Sequence, residues 1–181
     1  AGEHVHVLGP GSFNEEAFLA LDNVLKIANE EEVRLILPLV DNWHWWGGIE
    51  QYAGFRRKEP AAFWSDPQII GDFKQTIHYV INRKNRKTGV RYKDDKAILA
   101  WETGNELDST PEWTRQIAAY IKEQDPNHLV LDGYALHGVR QASLDDPNID
   151  IVTTHHYPNP NQTMVKDIRK AILDTKGIKP Y

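Results

Sequence analysis

Apolar residues recur along this chain at two alternating periods, and that alternation predicts helices and strands taking turns. From Asn14 to Glu31 the apolar positions Phe18, Leu21, Leu25 and Ile27 fall near one helical face, with Glu15 and Glu16 in the first turn. Arg34 to Val40 is almost continuously apolar, as expected of a strand buried on both faces, and it ends at Asp41-Asn42. Pro38 removes one ladder donor from that run and predicts a bulge or an irregular end. After a long aromatic loop, Asp66 caps and Pro67 opens a helix that continues through Phe73, Ile77, Val80 and Ile81. Ala97 to Ala100 is a short strand running into Trp101-Glu102-Thr103-Gly104-Asn105-Glu106. Pro111 to Lys122 carries Trp113, Ile117 and Tyr120 at helical spacing and stops at Asp125-Pro126-Asn127. His128 to Asp132 and Ile149 to Thr154 read as further strands, and a helix from Val165 to Leu173 breaks at Lys176-Gly177. The pattern predicts an α/β fold of about four parallel strands with covering helices, in one domain without internal repeats.

The 181 residues are 40% hydrophobic and 10% aromatic, enough for a core, and no window approaches the length of a membrane span. A net charge of −5 argues against nucleic-acid binding. The basic run Arg83, Lys84, Arg86, Lys87, Arg91, Lys93 and Lys96 is interrupted by Asp94 and Asp95 and is expected to be a solvated helix end and loop. Without cysteine there are no disulfides or thiolate metal sites, and the compartment stays open. The start, Ala1-Gly2-Glu3-His4, reads as that of a processed or truncated product, in a Gly-rich and frayed-looking stretch where His4 and His6 are surface residues.

The predicted strands all deliver polar or aromatic residues at their C-terminal ends: Asp41, Asn42 and Trp43; Asn105 and Glu106; Asp132 and Tyr134; His155, His156 and Tyr157. In parallel α/β barrels that rim carries the chemistry, because strand-to-helix loops vary there without disturbing the core. Glu106 is the candidate proton donor to a departing sugar oxygen, a role that requires a neutral carboxyl, favoured by burial and a nearby second carboxylate. Asn105 is placed to hold the neighbouring sugar hydroxyl. The competing reading makes both residues caps of the helix that follows.

Tyr157 is suited to donate to a carboxylate and His155 to a hydroxyl. Adjacent histidines leave a strand on opposite faces, so no metal site is expected. The loop holding Trp43, Trp45, Trp46 and Tyr52 is dense in rings that stack on pyranose faces, and Asn42 adds a polar contact; the competing reading is a satellite core with Phe55, Phe63 and Trp64.

Leu39-Val40-Asp41-Asn42-Trp43 with Gly47-Gly48 and Tyr52, then Thr88 to Asp95 leading into Ile98 to Glu102 and Asn105-Glu106, then His155 and Tyr157 in a His-any-Tyr motif, together resemble the clan A retaining glycoside hydrolases. Within them the similarity is to family five endo-β-1,4-mannanases and covers most of the chain. The resemblance implies a partial (β/α)8 TIM barrel holding the third to sixth strands, with residues 1–181 as one incomplete catalytic domain lacking the first two and last two strands. It implies Glu106 as acid/base, Asn105 as binder of the 2-hydroxyl, and His155 and Tyr157 as active-site supports beside a subsite of Asn42, Trp43 and Trp46. It further implies a polysaccharide or oligosaccharide substrate, no cofactor, no membrane partner, and a secreted or periplasmic location.

The chain departs from the family pattern at Leu107, where many of these mannanases have Pro, and at Asp41, where they often have Asn. The family's nucleophilic Glu on the seventh strand has no counterpart; Gly177 to Tyr181 looks like the lead-in to that strand. The isolated chain is therefore expected to be inactive and, through open barrel edges, to form a homo-oligomer. The alternatives are a family-five β-1,4-glucanase and a non-catalytic carbohydrate-binding half-barrel.

Overall fold

The computed structural model describes residues 5–44, 47–135, 138–158 and 164–181. The stretch expected to fray instead folds back on itself: β1 (Val7–Gly9) and β2 (Ser12–Phe13) form an antiparallel hairpin that pairs Val7 with Phe13. Its rings pack onto the first long helix and its neighbour, Phe13 stacking on Tyr79 and His6 meeting Phe18 edge-on. That packing anchors a segment whose sequence has little strand character of its own.

Next come α1 (Glu15–Glu30), β3 (Leu35–Pro38), α2 (Ile49–Phe55), α3 (Pro67–Asn82), β4 (Ile98–Glu102), α4 (Pro111–Gln124), β5 (Leu129–Asp132), α5 (Gln141–Asp145), β6 (Ile151–Val152) and α6 (Met164–Thr175). The strands β3 to β6 form one parallel sheet in chain order. Helix starts follow the expected chemistry, because the side chains of Asn14, Asp66 and Thr110 accept first-turn amides and Pro67 and Pro111 occupy positions that need no donor. The aromatic loop is not wholly irregular, since α2 and a 3-10 turn over Pro60–Trp64 are built into it.

β3 is an edge strand and is half-buried rather than buried on both faces, with Ile36, on the face opposite the helices, 42% exposed. The Leu35 amide donates to the carbonyl of Ala97, just before β4, and the Leu39 amide to that of Glu102 on β4, so by alternation the ring nitrogen of Pro38 faces the sheet's outer edge. A residue with no donor is tolerated there without a lost ladder bond. The skipped register falls earlier, between Leu35 and Ile36, where Leu99 is passed over.

Cross-strand pairing separates two faces of the sheet. Leu37, Trp101 and Val130 lie in one row under the helices, where the Trp101 indole donates to Asp125 at 2.7 Å. Pro38, Glu102, Leu131 and Ile151 share the other face. Above the first face, Phe63, Phe73 and Trp113 pack ring against ring, with Phe73 and Trp113 stacked at 5.7 Å.

The core also holds a charged knot. On α1 the buried stripe is Phe18, Asp22, Leu25 and Ala28, and Ile27 turns outward at 47% exposure. Asp22, fully buried, receives Arg83 at 3.1 and 2.8 Å and Tyr92 at 2.7 Å, while the Asp22 carbonyl takes the Asn85 amide at 2.9 Å. Arg83 is therefore not the solvated cation expected from the basic run: it is 7% exposed and ties α1 to the end of α3. Burial works against the Asp22 charge, yet the hydrogen bonds from Arg83, Tyr92 and the Arg86 amide hold its carboxyl below the ordinary aspartate value.

Asp22→Ala leaves that guanidinium buried with its main partner gone and is expected to lower stability by about 3 kcal/mol in urea denaturation. A loss within about 0.5 kcal/mol, the scale of a plain surface change, would show that the knot is not a strong tie.

Candidate active site

The site begins with backbone geometry at the end of β4. Beyond Glu102 the chain stays in step with both neighbours, bridging Asp41 to Asn105 on one side and Leu107 to Tyr134 on the other. The Asn105 amide donates to the Val40 carbonyl at 2.8 Å and the Asn42 amide to the Asn105 carbonyl at 3.1 Å. Across the gap, the Leu107 amide donates to Gly133 at 2.8 Å and the Ala135 amide to Leu107 at 3.1 Å. Glu106, between these clamps, takes a left-handed conformation with φ of 55°, which a non-glycine residue adopts at a cost of about 1–2 kcal/mol.

The strand ends approach closely enough to demand glycine. A Cβ on Gly133 would lie 1.5 Å from the Gly104 carbonyl oxygen, and one on Gly104 would lie 2.7 Å from the Val40 carbonyl oxygen.

The left-handed turn leaves Glu106 only 7% exposed, with donors on both carboxylate oxygens. The Trp43 indole N–H donates to Oε2 at 2.7 Å, and the Tyr157 hydroxyl donates to Oε1. His155 Nδ1 stands 3.3 Å from Oε1. Asn105 places its amide nitrogen 3.2 Å from Asp41 Oδ1, which also accepts the Trp43 amide at 3.2 Å. Asn42 carries a buried Oδ1 with no hydrogen-bond partner among the described residues.

Of the residues singled out from the sequence, Trp43, Asn105, Glu106 and Tyr157 therefore lie within one hydrogen-bonded cluster, with His155 beside its carboxyl and Asn42 joined to it through the Asn105 carbonyl. Trp46 and its neighbour Trp45 lie outside the described residues. Trp43 is 40% exposed, but its N–H grips the acid, a role beyond stacking. Tyr52 belongs to the competing reading: it is 3% exposed, donates to Thr76 at 2.7 Å and meets Phe55, Phe63 and Phe73.

Glu102 is a member of the cluster that the sequence did not single out. It is 9% exposed, and its Oε1 is 3.9 Å from His155 Nε2. Burial, followed by the charges of Asp132, Glu106 and Asp41, pushes its carboxyl up to about 7. Strand alternation offered the signal, because Trp101 and Glu102 must face opposite ways, and with Trp101 in the core the acid faces the other side. A cavity of about 640 Å³ lies elsewhere, between α1 and the open edge of β3. It touches Asp41 and Asn105 but none of Glu106, His155 and Tyr157, and its walls are mostly apolar.

The model of GH family 5 beta-mannosidase-like proteins matches residues 4–176. This chain belongs to glycoside hydrolase family 5, within its β-mannosidase-like group. Mannan endo-1,4-beta-mannosidase 1 of Oryza sativa subsp. japonica is 33% identical over 186 residues, covering 84% of this chain and 43% of that protein. Among solved structures, the endo-beta-1,4-mannanase of Thermotoga petrophila superposes with a TM-score of 0.85 at 28% identity, covering 95% of this chain and 48% of that one. A family 5 mannosidase of Rhizomucor miehei, solved with mannosyl-fructose, gives 0.79 at 25% identity over 93% of this chain and 49% of that one. The chain thus spans about half the length of the relatives it matches, and its four-stranded sheet is part of a (β/α)8 barrel. No helix among the described residues is long and apolar enough to cross a membrane.

The raised carboxyl at Glu102 has a definite sign. The folded state holds this proton more tightly than the unfolded chain, so stability falls as pH rises from 4.5 to about 7, by roughly 3 kcal/mol through this group. Glu102→Gln, which mimics the neutral acid, is expected to flatten that part of the urea-midpoint profile; an unchanged slope would place the proton elsewhere.

Proposed function

We propose that this chain is the third-to-sixth-strand part of a retaining endo-β-1,4-mannanase, with Glu106 as acid/base. The observation that carries the reading is the held posture of Glu106: a left-handed backbone and donors from Trp43 and Tyr157 aim one carboxyl group at the C-terminal rim of a parallel sheet. In this role Glu106 protonates the departing sugar oxygen and later, as carboxylate, takes a proton from the attacking water. Asn105 receives the 2-hydroxyl, and Asn42, whose buried Oδ1 awaits a donor, and Trp43 line the neighbouring subsite. A polymeric substrate too large to enter a cell is consistent with a secreted or periplasmic enzyme.

Retention needs a second carboxylate about 5–5.5 Å from the first, on the other side of the sugar carbon. In the proposed barrel that group comes from the strand after β6. The Val152 amide donates to the Pro180 carbonyl at 3.1 Å, which lays the last residues alongside β6 and supports that reading. The 181-residue polypeptide alone is expected to leave mannan uncut, whereas a longer protein carrying the whole barrel cuts it. In that longer protein Glu106→Gln is expected to lower kcat by about 10²–10⁴-fold, the usual worth of a positioned acid/base. Turnover by the short chain, or an active Glu106→Gln barrel, sinks the assignment. Cellulose oligomers cut in preference to mannan oligomers would move the substrate to β-1,4-glucans.

The unpaired edge of β3 and the open inner positions Ile36 and Leu129, 42% and 37% exposed, favour self-association of the isolated chain. Light scattering should show a mass that grows with concentration; a monomer at high concentration rules it out.

A further inference from the structure

His155 stands between two carboxyl groups, one for each ring nitrogen. Nδ1 lies 3.3 Å from Glu106 Oε1, and Nε2 lies 3.9 Å from Glu102 Oε1. Nε2 is buried and has no hydrogen-bond partner among the described residues. A buried ring nitrogen without a partner is costly, and Glu102 is the group it faces. The present separation is too long for a hydrogen bond, as such contacts often are before substrate tightens the site.

We propose that Glu102 is a proton-holding and positioning partner of Glu106, exchanging one proton with it through the ring of His155; this rests on the reading of Glu106 as acid/base. In one state the Glu102 carboxyl carries a proton facing a bare Nε2, and Nδ1–H faces the Glu106 carboxylate. In the other, the Glu102 proton has passed to Nε2 and the Nδ1 proton has passed to Glu106 Oε1. One O–H and one N–H bond break, one N–H and one O–H bond form, and the ring moves from one neutral tautomer to the other. The net charge of the cluster does not change. The second state presents Glu106 as an acid and the first presents it as a base, the two forms that successive halves of a retaining reaction require.

The surroundings favour one shared proton rather than two ionised acids. Among the described residues Glu102 is faced by Asp41 after β3, Glu106 after β4, Asp132 at the end of β5 and His155 after β6, three acids and one histidine. Burial and the charges of these acids hold a proton on Glu102, the group that Nε2 of His155 faces. Asp132 is itself engaged elsewhere, by Arg140 at 3.2 Å and by the Ser143 hydroxyl, which leaves His155 as the bridge between the two glutamates.

The test is a titration of the 13C,15N-labelled 181-residue chain, following the carboxyl carbons of Glu102 and Glu106 and both ring nitrogens of His155 by NMR. The expected result is that the two carboxyl carbons report the same two steps, and that between those steps the Nδ1 and Nε2 signals both sit between the values of a protonated and a bare ring nitrogen, as exchange between two neutral tautomers requires. In Glu102→Gln the Glu106 carbon should titrate in a single step and the His155 ring should settle in one tautomer. Asp132→Asn should keep the coupling, since that acid lies outside the relay.

The proposal is overturned if Glu102 titrates alone with the His155 ring held in one tautomer, or if the averaged ring signals survive Glu102→Gln. Should that variant fail to fold, the wild-type titration decides by itself. Lack of mannan turnover by the longer protein would remove the assignment of Glu106 and leave these signals unaffected, so the two failures are distinguishable.

Discussion

One left-handed residue sets the site. Glu106 is held at φ 55° because its neighbours on both sides are hydrogen-bonded to different strands, Asn105 to the end of β3 and Leu107 to the end of β5. Neither clamp acts on the Glu106 side chain; each fixes the backbone on one side of it, and the turn between them gives the carboxyl its direction. The energy stored in the unfavourable conformation is small beside the packing that enforces it, which is why such a turn persists at a place where a side chain must be aimed. The same crowding explains Gly104 and Gly133, whose missing side chains let three strand ends converge.

That convergence depends in turn on the opposite face of the sheet. Trp101 and Glu102 are adjacent and face opposite ways: one donates its indole N–H to Asp125 in the helical layer, the other sits among acids at the rim. Apolar burial holds the helices against the strands, the Asp22–Arg83 knot ties α1 to α3, and the strands then hold a set of carboxyl groups close together at the rim. The site concentrates like charge on one face, while the stabilising contacts gather on the other.

Much of this was legible in the sequence because periodicity reports burial. The four parallel strands and the long helices follow from apolar runs, caps and prolines, and the strand-end residues Asn105, Glu106, His155 and Tyr157 come together as their positions implied. The failures have physical causes. The hairpin at Val7–Phe13 is held by tertiary ring packing that no local pattern announces. Arg83 reads as a surface cation until Asp22, 61 positions away, is placed beside it. Ile27 looked like a core residue because the stripe of α1 was assumed to be wholly apolar, whereas a buried acid occupies part of it. Trp43 reads from the sequence only as a ring in an aromatic loop, because its bond to Glu106 joins residues 63 positions apart and needs the fold.

The two departures from the family pattern can be argued from geometry. Leu107 is fully buried and its amide donates to Gly133, a bond that proline cannot make. Where proline would restrict the turn after the acid through its ring, leucine restrains it through a hydrogen bond and burial, and both devices serve one end, a fixed exit from the left-handed residue. Asp41 accepts two donors on one oxygen, the Trp43 amide and the Asn105 side chain. An asparagine there would still offer one oxygen to these donors, but it would remove one of the charges that raise Glu102. The aspartate therefore keeps the positioning of Asn105 while adding to the electrostatic pressure that holds a proton at the rim, and the departure alters the charge of the site more than its shape.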